Sequence, residues 1–135
     1  MSSDDLRQRI EAIETGYEFM LAYAAQGRQT DQGGGSGSKL REHLNAMVAA
    51  LDGLGEAVLA VAAAVDRELP KSGKAFFAAV DGDAGIALGA LRLVLARSDI
   101  SSQLIDNLNA SIHLRALLTD LFVVDEALRP PQPHA

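Results

Sequence analysis

Apolar residues recur at steps of three and four along four segments of the chain, a spacing that places them on one face of an α-helix. None of these segments shows the sustained alternation of a half-buried strand. The first predicted helix covers about residues 5–26 and stops near Gly27. The second follows the potential cap Ser38 and ends at Pro70. Gly53 and Gly55 are weak points where this second helix can bend.

Two further helices complete the pattern. The third follows the turn at residues 70–73, and the sequence leaves open whether the Asp81-Gly82-Asp83 run breaks it. The fourth begins near residues 98–102 and ends at Arg129, before two prolines. We expect an all-α, antiparallel up-and-down four-helix bundle over residues 1–129. A flexible Gly/Ser linker is predicted at 28–38, and a loose Pro-rich tail at 130–135.

The second helix and the later half of the fourth carry more apolar residues than one buried face requires. Two apolar stripes on one helix indicate two packing partners, so we expect a homo-oligomer, most simply a two-fold dimer. The alternative is a monomer whose apolar patch is reserved for a different protein. The interface predicted on these two helices consists of Val48, Leu59, Leu114, Leu117, Leu121, Val124 and Leu128.

Composition narrows the function classes. The 135 residues are 48% hydrophobic and contain no Cys, which excludes disulfides and thiolate metal sites. The net charge of −6 argues against a nucleic-acid partner. No apolar run approaches the roughly 20 residues of a membrane span. The acidic start of the sequence lacks a secretory signal pattern, so we predict a soluble, cytoplasmic protein without a membrane partner.

Candidate chemistry is sparse. The three histidines, His43, His113 and His134, belong to no HExxH or ExxH pattern, so we expect no metal, no cofactor and no catalytic residues. Glu14 borders the apolar face of the first helix beside Tyr17, an arrangement that suits a half-buried acid and phenol. Together with His113, these two residues are the candidates for polar contacts in a ligand pocket.

The leading hypothesis is therefore a non-enzymatic protein-interaction module, that is, an adaptor, a regulatory subunit or a specialised chaperone that self-associates through the second and fourth helices. The first alternative is a helical bundle that binds a small apolar ligand or a metal between its helices. The second alternative is a histidine phosphocarrier that uses His43, which lies near the start of the second helix.

Overall fold

The computed structural model describes residues 3–129, and within that range all regular secondary structure is helical, with no strand. The predicted tail at 130–135, including His134, and residues 1 and 2 lie outside the described residues. Seven helices cover the described part: α1 (Ser3–Ala25), α2 (Gly35–Leu51), α3 (Leu54–Val65), α4 (Leu69–Ser72), α5 (Lys74–Leu95), α6 (Ser102–Asn109) and α7 (Ile112–Ala127). The all-α class is confirmed, while four uninterrupted helices are not.

The first helix matches its prediction closely. α1 buries a stripe that includes Leu6, Ile10, Ile13 and Met20, as the spacing of three and four indicates. Acidic residues occupy its first turn, where they complement the positive end of the helix dipole. The chain leaves α1 through Gly27 at a φ of 66°, a backbone conformation that glycine adopts without steric cost.

The second predicted helix is broken at Gly53, one of the two glycines predicted as weak points, while Gly55 lies inside α3. α2 ends at Leu51, and Gly53 takes a φ of 76° before α3 begins at Leu54. The two helices meet at 50°. The left-handed conformation of Gly53 stops the α-helical hydrogen-bond ladder, so the chain changes direction there. At its other end, α3 stops at Val65, before the predicted end at Pro70.

The segment predicted as a flexible linker contains the first turn of a helix and a hydrogen-bonded loop. α2 begins at Gly35, three residues before the predicted cap Ser38. Ahead of it, the buried Asp31 accepts hydrogen bonds from the Ile100 amide (2.8 Å) and from Nε of Arg41 (2.5 Å). Gly37 permits this packing because a Cβ there would overlap the Asp31 carbonyl group.

The same loop is joined to the start of α6 by a second group of bonds. Ser102 donates its hydroxyl to the Tyr23 carbonyl (2.6 Å) and accepts from the Arg28 amide (2.9 Å). The phenol of Tyr23 donates to the Ile100 carbonyl (2.6 Å). These buried bonds tie the end of α1 to the segment between α5 and α6, which are far apart in sequence.

The third predicted helix is continuous, and the fourth is broken. α5 runs through Asp81-Gly82-Asp83 without interruption, since Val80 and Ala84 on either side are anchored in the core. The fourth segment divides into α6 and α7 at Ala110 and Ser111, a break that the sequence analysis did not anticipate. α1 packs chiefly on α2 and α6, and α5 packs on α7, α3 and α2.

Candidate functional site

Two of the three predicted pocket residues lie together in a groove between α1 and α7. Glu14 and Tyr17 are one turn apart on α1, and residues at the same spacing face them from α7. The groove has a cavity volume of about 360 Å³. Its lining consists of Glu14, Tyr17, Glu18, Arg115, Leu118, Thr119 and Phe122.

The charges of this α1–α7 groove are mixed. Burial raises the pKa of Glu14, and the negative charges of Asp125, Glu18 and Glu11 raise it further. Arg115 brings a positive charge to the opposite wall of the groove. The exposed ring of Phe122 adds apolar surface, so the groove offers a half-buried carboxyl, a phenol, a guanidinium and an aromatic face to a small molecule.

The third predicted pocket residue, His113, lies elsewhere. Its Nδ1 is 2.9 Å from a carboxylate oxygen of Asp83 on α5, and it does not line the groove. Burial raises the pKa of the nearby Asp120, and the charge of Asp83 adds to this effect. Residues 3–129 contain no group of three or more His, Asp or Glu side chains that could hold a metal ion.

The histidine of the phosphocarrier hypothesis packs against an aromatic ring. His43 stacks on Phe19 of α1 with a centroid separation of 4.5 Å and is half-buried. This contact fixes α1 against the first part of α2. Phosphotransfer by His43 stays a prediction.

Most of the predicted interface residues serve the core of their own chain. Those on the fourth segment are buried, with at most 8% exposure, namely Leu114, Leu117, Leu121, Val124 and Leu128. Val48 is half-buried against the core, and Leu59 is 38% exposed. In this fold, the α7 stripe offers no surface to a second subunit, because α7 turns it toward α5 and the rest of the core.

α5, which is not part of the interface predicted from the sequence, carries an exposed apolar surface. Six exposed residues follow one face of this helix at steps of three and four, and none of them is charged. Two are large: Ile86 is 48% exposed and Leu93 is 74% exposed. We call this surface the α5 outer face; it consists of Ala78, Gly82, Gly85, Ile86, Gly89 and Leu93.

The glycines of the α5 outer face differ from those that pack inside the chain. A Cβ at Gly16 or Gly55 would collide with Met47 or Asp81, so intrachain packing explains those two glycines. A Cβ at Gly82, Gly85 or Gly89 would meet nothing within 4 Å. Each glycine in a helix interior costs about 1 kcal/mol relative to Ala, and no contact inside the described chain accounts for that cost here.

An apolar depression adjoins one edge of the α5 outer face. It has a cavity volume of about 570 Å³ between α3 and the α4–α5 segment. Leu59 and Phe77 supply its apolar walls, Lys74 stands at the α5 side, and Ala78 and Asp81 connect it to the α5 outer face. The exposed predicted interface residue Leu59 thus lies beside the α5 outer face.

The comparisons with known proteins gave no relative from which a function could be inferred. No protein-family model, curated protein or solved structure gave a significant match. Among residues 3–129 no single helix is long and apolar enough to cross a membrane. The bent pair α2 and α3 reaches the necessary length and composition only when the two are taken together.

Proposed function

We propose that this chain is a non-enzymatic protein-interaction module that self-associates, acting as an adaptor, a regulatory subunit or a specialised chaperone. The observation that carries the proposal is the α5 outer face, an uncharged helix surface on which Ile86 and Leu93 stand largely exposed. Apolar surface of this kind gains free energy when a protein covers it, at roughly 25 cal/mol per Å² removed from water.

The proposal moves the self-associating surface away from the second and fourth predicted segments. Of the seven residues predicted as that interface, five are buried in the chain's own core, Val48 is half-buried and Leu59 is exposed. The exposed side chains of Ile86 and Leu93 on α5 supply the apolar surface for self-association instead. A cytoplasmic location and the absence of a nucleic-acid partner belong to the same proposal, and the net charge of −6 supports the second of these.

Sedimentation equilibrium of the whole chain tests self-association directly. A single helix-based contact is smaller than the standard interface of about 800 Å² per partner, so we expect a dimer with a dissociation constant in the micromolar range. The weight-average mass should then rise from one to two times 14.2 kDa as the concentration increases. A constant monomer mass up to about 100 µM, well above that range, would contradict the proposal.

A second candidate function is supported by the α1–α7 groove, which brings the predicted residues Glu14 and Tyr17 together with Arg115 and Phe122. The groove suits a small molecule with an apolar body and a polar end. Native mass spectrometry of freshly purified protein reports a retained ligand and the subunit number in one spectrum. A bound ligand that is retained by the natural chain and lost in Tyr17→Ala supports this function. If both proteins show only the mass of the ligand-free chain, the result counts against it.

A further inference from the structure

We propose that the occupant of the α5 outer face is a second copy of this chain, packed antiparallel about a two-fold axis at the level of Ile86 and Ala87, with Asp81 of each copy facing Arg92 of the other. The proposal rests on the self-association proposed above and specifies its surface and register. Three observations support it: exposed apolar side chains, glycines that make no packing contact within the chain, and the positions of two opposite charges.

The first argument is the close approach that the surface permits. Gly82, Gly85 and Gly89 leave the backbone of α5 uncovered, and no atom of the described chain uses the space above them. Small residues allow two helix backbones to come nearer than the usual 8–10 Å between axes. A partner helix that lies along α5 uses this space and so accounts for three glycines that otherwise only weaken the helix.

The second argument is that the surface is complementary to itself. In an antiparallel pair centred between residues 86 and 87, Leu93 of one copy meets the other copy at the level of residue 80. Apart from Asp81 at the edge of the α5 outer face, the exposed residues there are small, namely Ala78, Ala79 and Gly82. Each Leu93 therefore fills a depression in the other copy, and the two Ile86 side chains meet near the axis, flanked by Gly85 and Gly89.

The third argument is charge complementarity. Asp81 and Arg92 are both exposed and lie eleven residues apart, which is close to three helical turns. They therefore occupy the same edge of the outer face, about 16 Å apart along the axis. A two-fold axis perpendicular to the helices preserves this edge and reverses its direction, so Asp81 of one copy comes opposite Arg92 of the other, twice.

The charges in question are available for this contact. Within residues 3–129, the Arg92 side chain makes no hydrogen bond or ion pair. The Asp81 carboxylate lies against Gly55 at the boundary of α3 and α5 and is open to solvent there. The neighbouring depression beside Leu59 gives the second copy additional apolar surface at this edge. An unrelated partner protein would not need charges placed symmetrically about the centre of the helix.

Charge reversal and an apolar-to-charged substitution together test the interface. We expect Leu93→Arg to weaken dimerisation by about 100-fold, because the two-fold axis places the new charge in the contact twice. The matched control is Val123→Arg on α7, which is also exposed, at 52%, and should leave the dissociation constant unchanged. Asp81→Arg and Arg92→Asp should each weaken the dimer about tenfold, and the double variant should return to within about threefold of the natural chain.

Each outcome of sedimentation with these variants has a defined meaning. Recovery in the double variant supports the antiparallel register, and additive losses overturn it. If the natural chain dimerises but Leu93→Arg dimerises equally well, the α5 interface is wrong while self-association stands. If Val123→Arg alone dissociates the dimer, the interface lies on α7. If the natural chain is a monomer throughout, the proposed function itself fails. The charge-reversal set keeps the test decisive should circular dichroism show that Leu93→Arg does not fold.

Discussion

Replacing Asp31 with Asn removes the buried charge that joins the loop before α2 to two other parts of the chain. The carboxylate accepts from Arg41 at 2.5 Å and from the Ile100 amide at 2.8 Å, and its side chain is only 2% exposed. Burial by itself raises the pKa of Asp31, but the bonds from Arg41 and Ile100 outweigh it and hold the pKa below the ordinary carboxyl value.

The expected loss of stability follows from which bonds Asn can keep. Its oxygen can still accept from the Ile100 amide, but its NH₂ group would face the Arg41 guanidinium, so two donors would meet. The Arg41 side chain is 30% exposed and stays bonded to the carbonyls of Leu95, Arg97 and Ser98, which limits the cost. Since a hydrogen bond to a charged group contributes about 1.5–3 kcal/mol, we expect Asp31→Asn to lower the free energy of unfolding by about 2–3 kcal/mol.

The effect of Asp31→Asn depends on pH with a definite sign. A carboxyl with a lowered pKa in the folded state stabilises the fold fully above its ordinary pKa. That contribution disappears as the pH falls through the lower, folded-state pKa. The difference in unfolding free energy between the natural chain and Asp31→Asn should therefore be largest near neutral pH and shrink progressively in acid, below the ordinary carboxyl pKa.

Urea unfolding followed by circular dichroism, at pH 7 and at about pH 2.5, measures this difference. The control is Asp106→Asn, which makes the same change of charge at an exposed side chain without a hydrogen bond in the described chain. At pH 7 the unfolding free energy of Asp31→Asn should fall by about 2–3 kcal/mol, and that of the control by less than about 0.5 kcal/mol. Equal effects of the two substitutions, or a difference that persists unchanged in acid, would refute the reasoning.

Three further substitutions test local features of the fold. Gly37→Ala should destabilise the chain by about 2–4 kcal/mol, because the new Cβ would overlap a backbone carbonyl. The control Gly35→Ala has open space around it and should change stability by less than about 0.5 kcal/mol. Equal urea midpoints for the two variants would contradict this prediction. Gly53→Ala should cost about 1 kcal/mol through its φ of 76°, and an unchanged midpoint would show that the bend does not need glycine. Glu14→Gln should raise the melting temperature at pH 7 by about 1–3 °C, because burial and the charge of Asp125 disfavour the ionised carboxylate. This gain should vanish in acid, where Glu14 of the natural chain is protonated. A lower melting temperature of the variant at pH 7 would contradict the prediction.

The sequence predicts helix identity well, because apolar spacing reports directly which face of a segment is buried. It identifies α1 almost to its ends and marks Gly53 and Gly55 as possible bends, of which the structure breaks the helix at Gly53 alone. It does not predict the break at Ser111, because short polar side chains there suit either an exposed helix face or a helix start. The continuity of α5 through Gly82 depends on tertiary anchoring of Val80 and Ala84, which no local pattern reveals.

In the candidate sites, too, features set by local sequence are predictable and features set by tertiary packing are not. Glu14 and Tyr17 share a helix face, so their common groove is predictable, whereas the position of His113 depends on how α7 lies against α5. The apolar residues of α7 are recognisable, but whether they face the core or a second subunit is a tertiary property. Asp31 does not stand out within a polar Gly-rich segment, because its hydrogen-bond partners lie 10 and 69 positions further along the sequence.

The most direct test of the central claim uses the absence of Cys from the natural chain, so that a single introduced Cys can form a disulfide only between copies. Ile86 and Val123 are exposed to similar extents, 48% and 52%. The proposed two-fold axis passes beside Ile86, which brings the two copies of that position together. Under mild oxidation we expect Ile86→Cys to form a covalent dimer at least about tenfold faster than Val123→Cys. Equal rates, or faster cross-linking at Val123, would contradict an interface built on the α5 outer face.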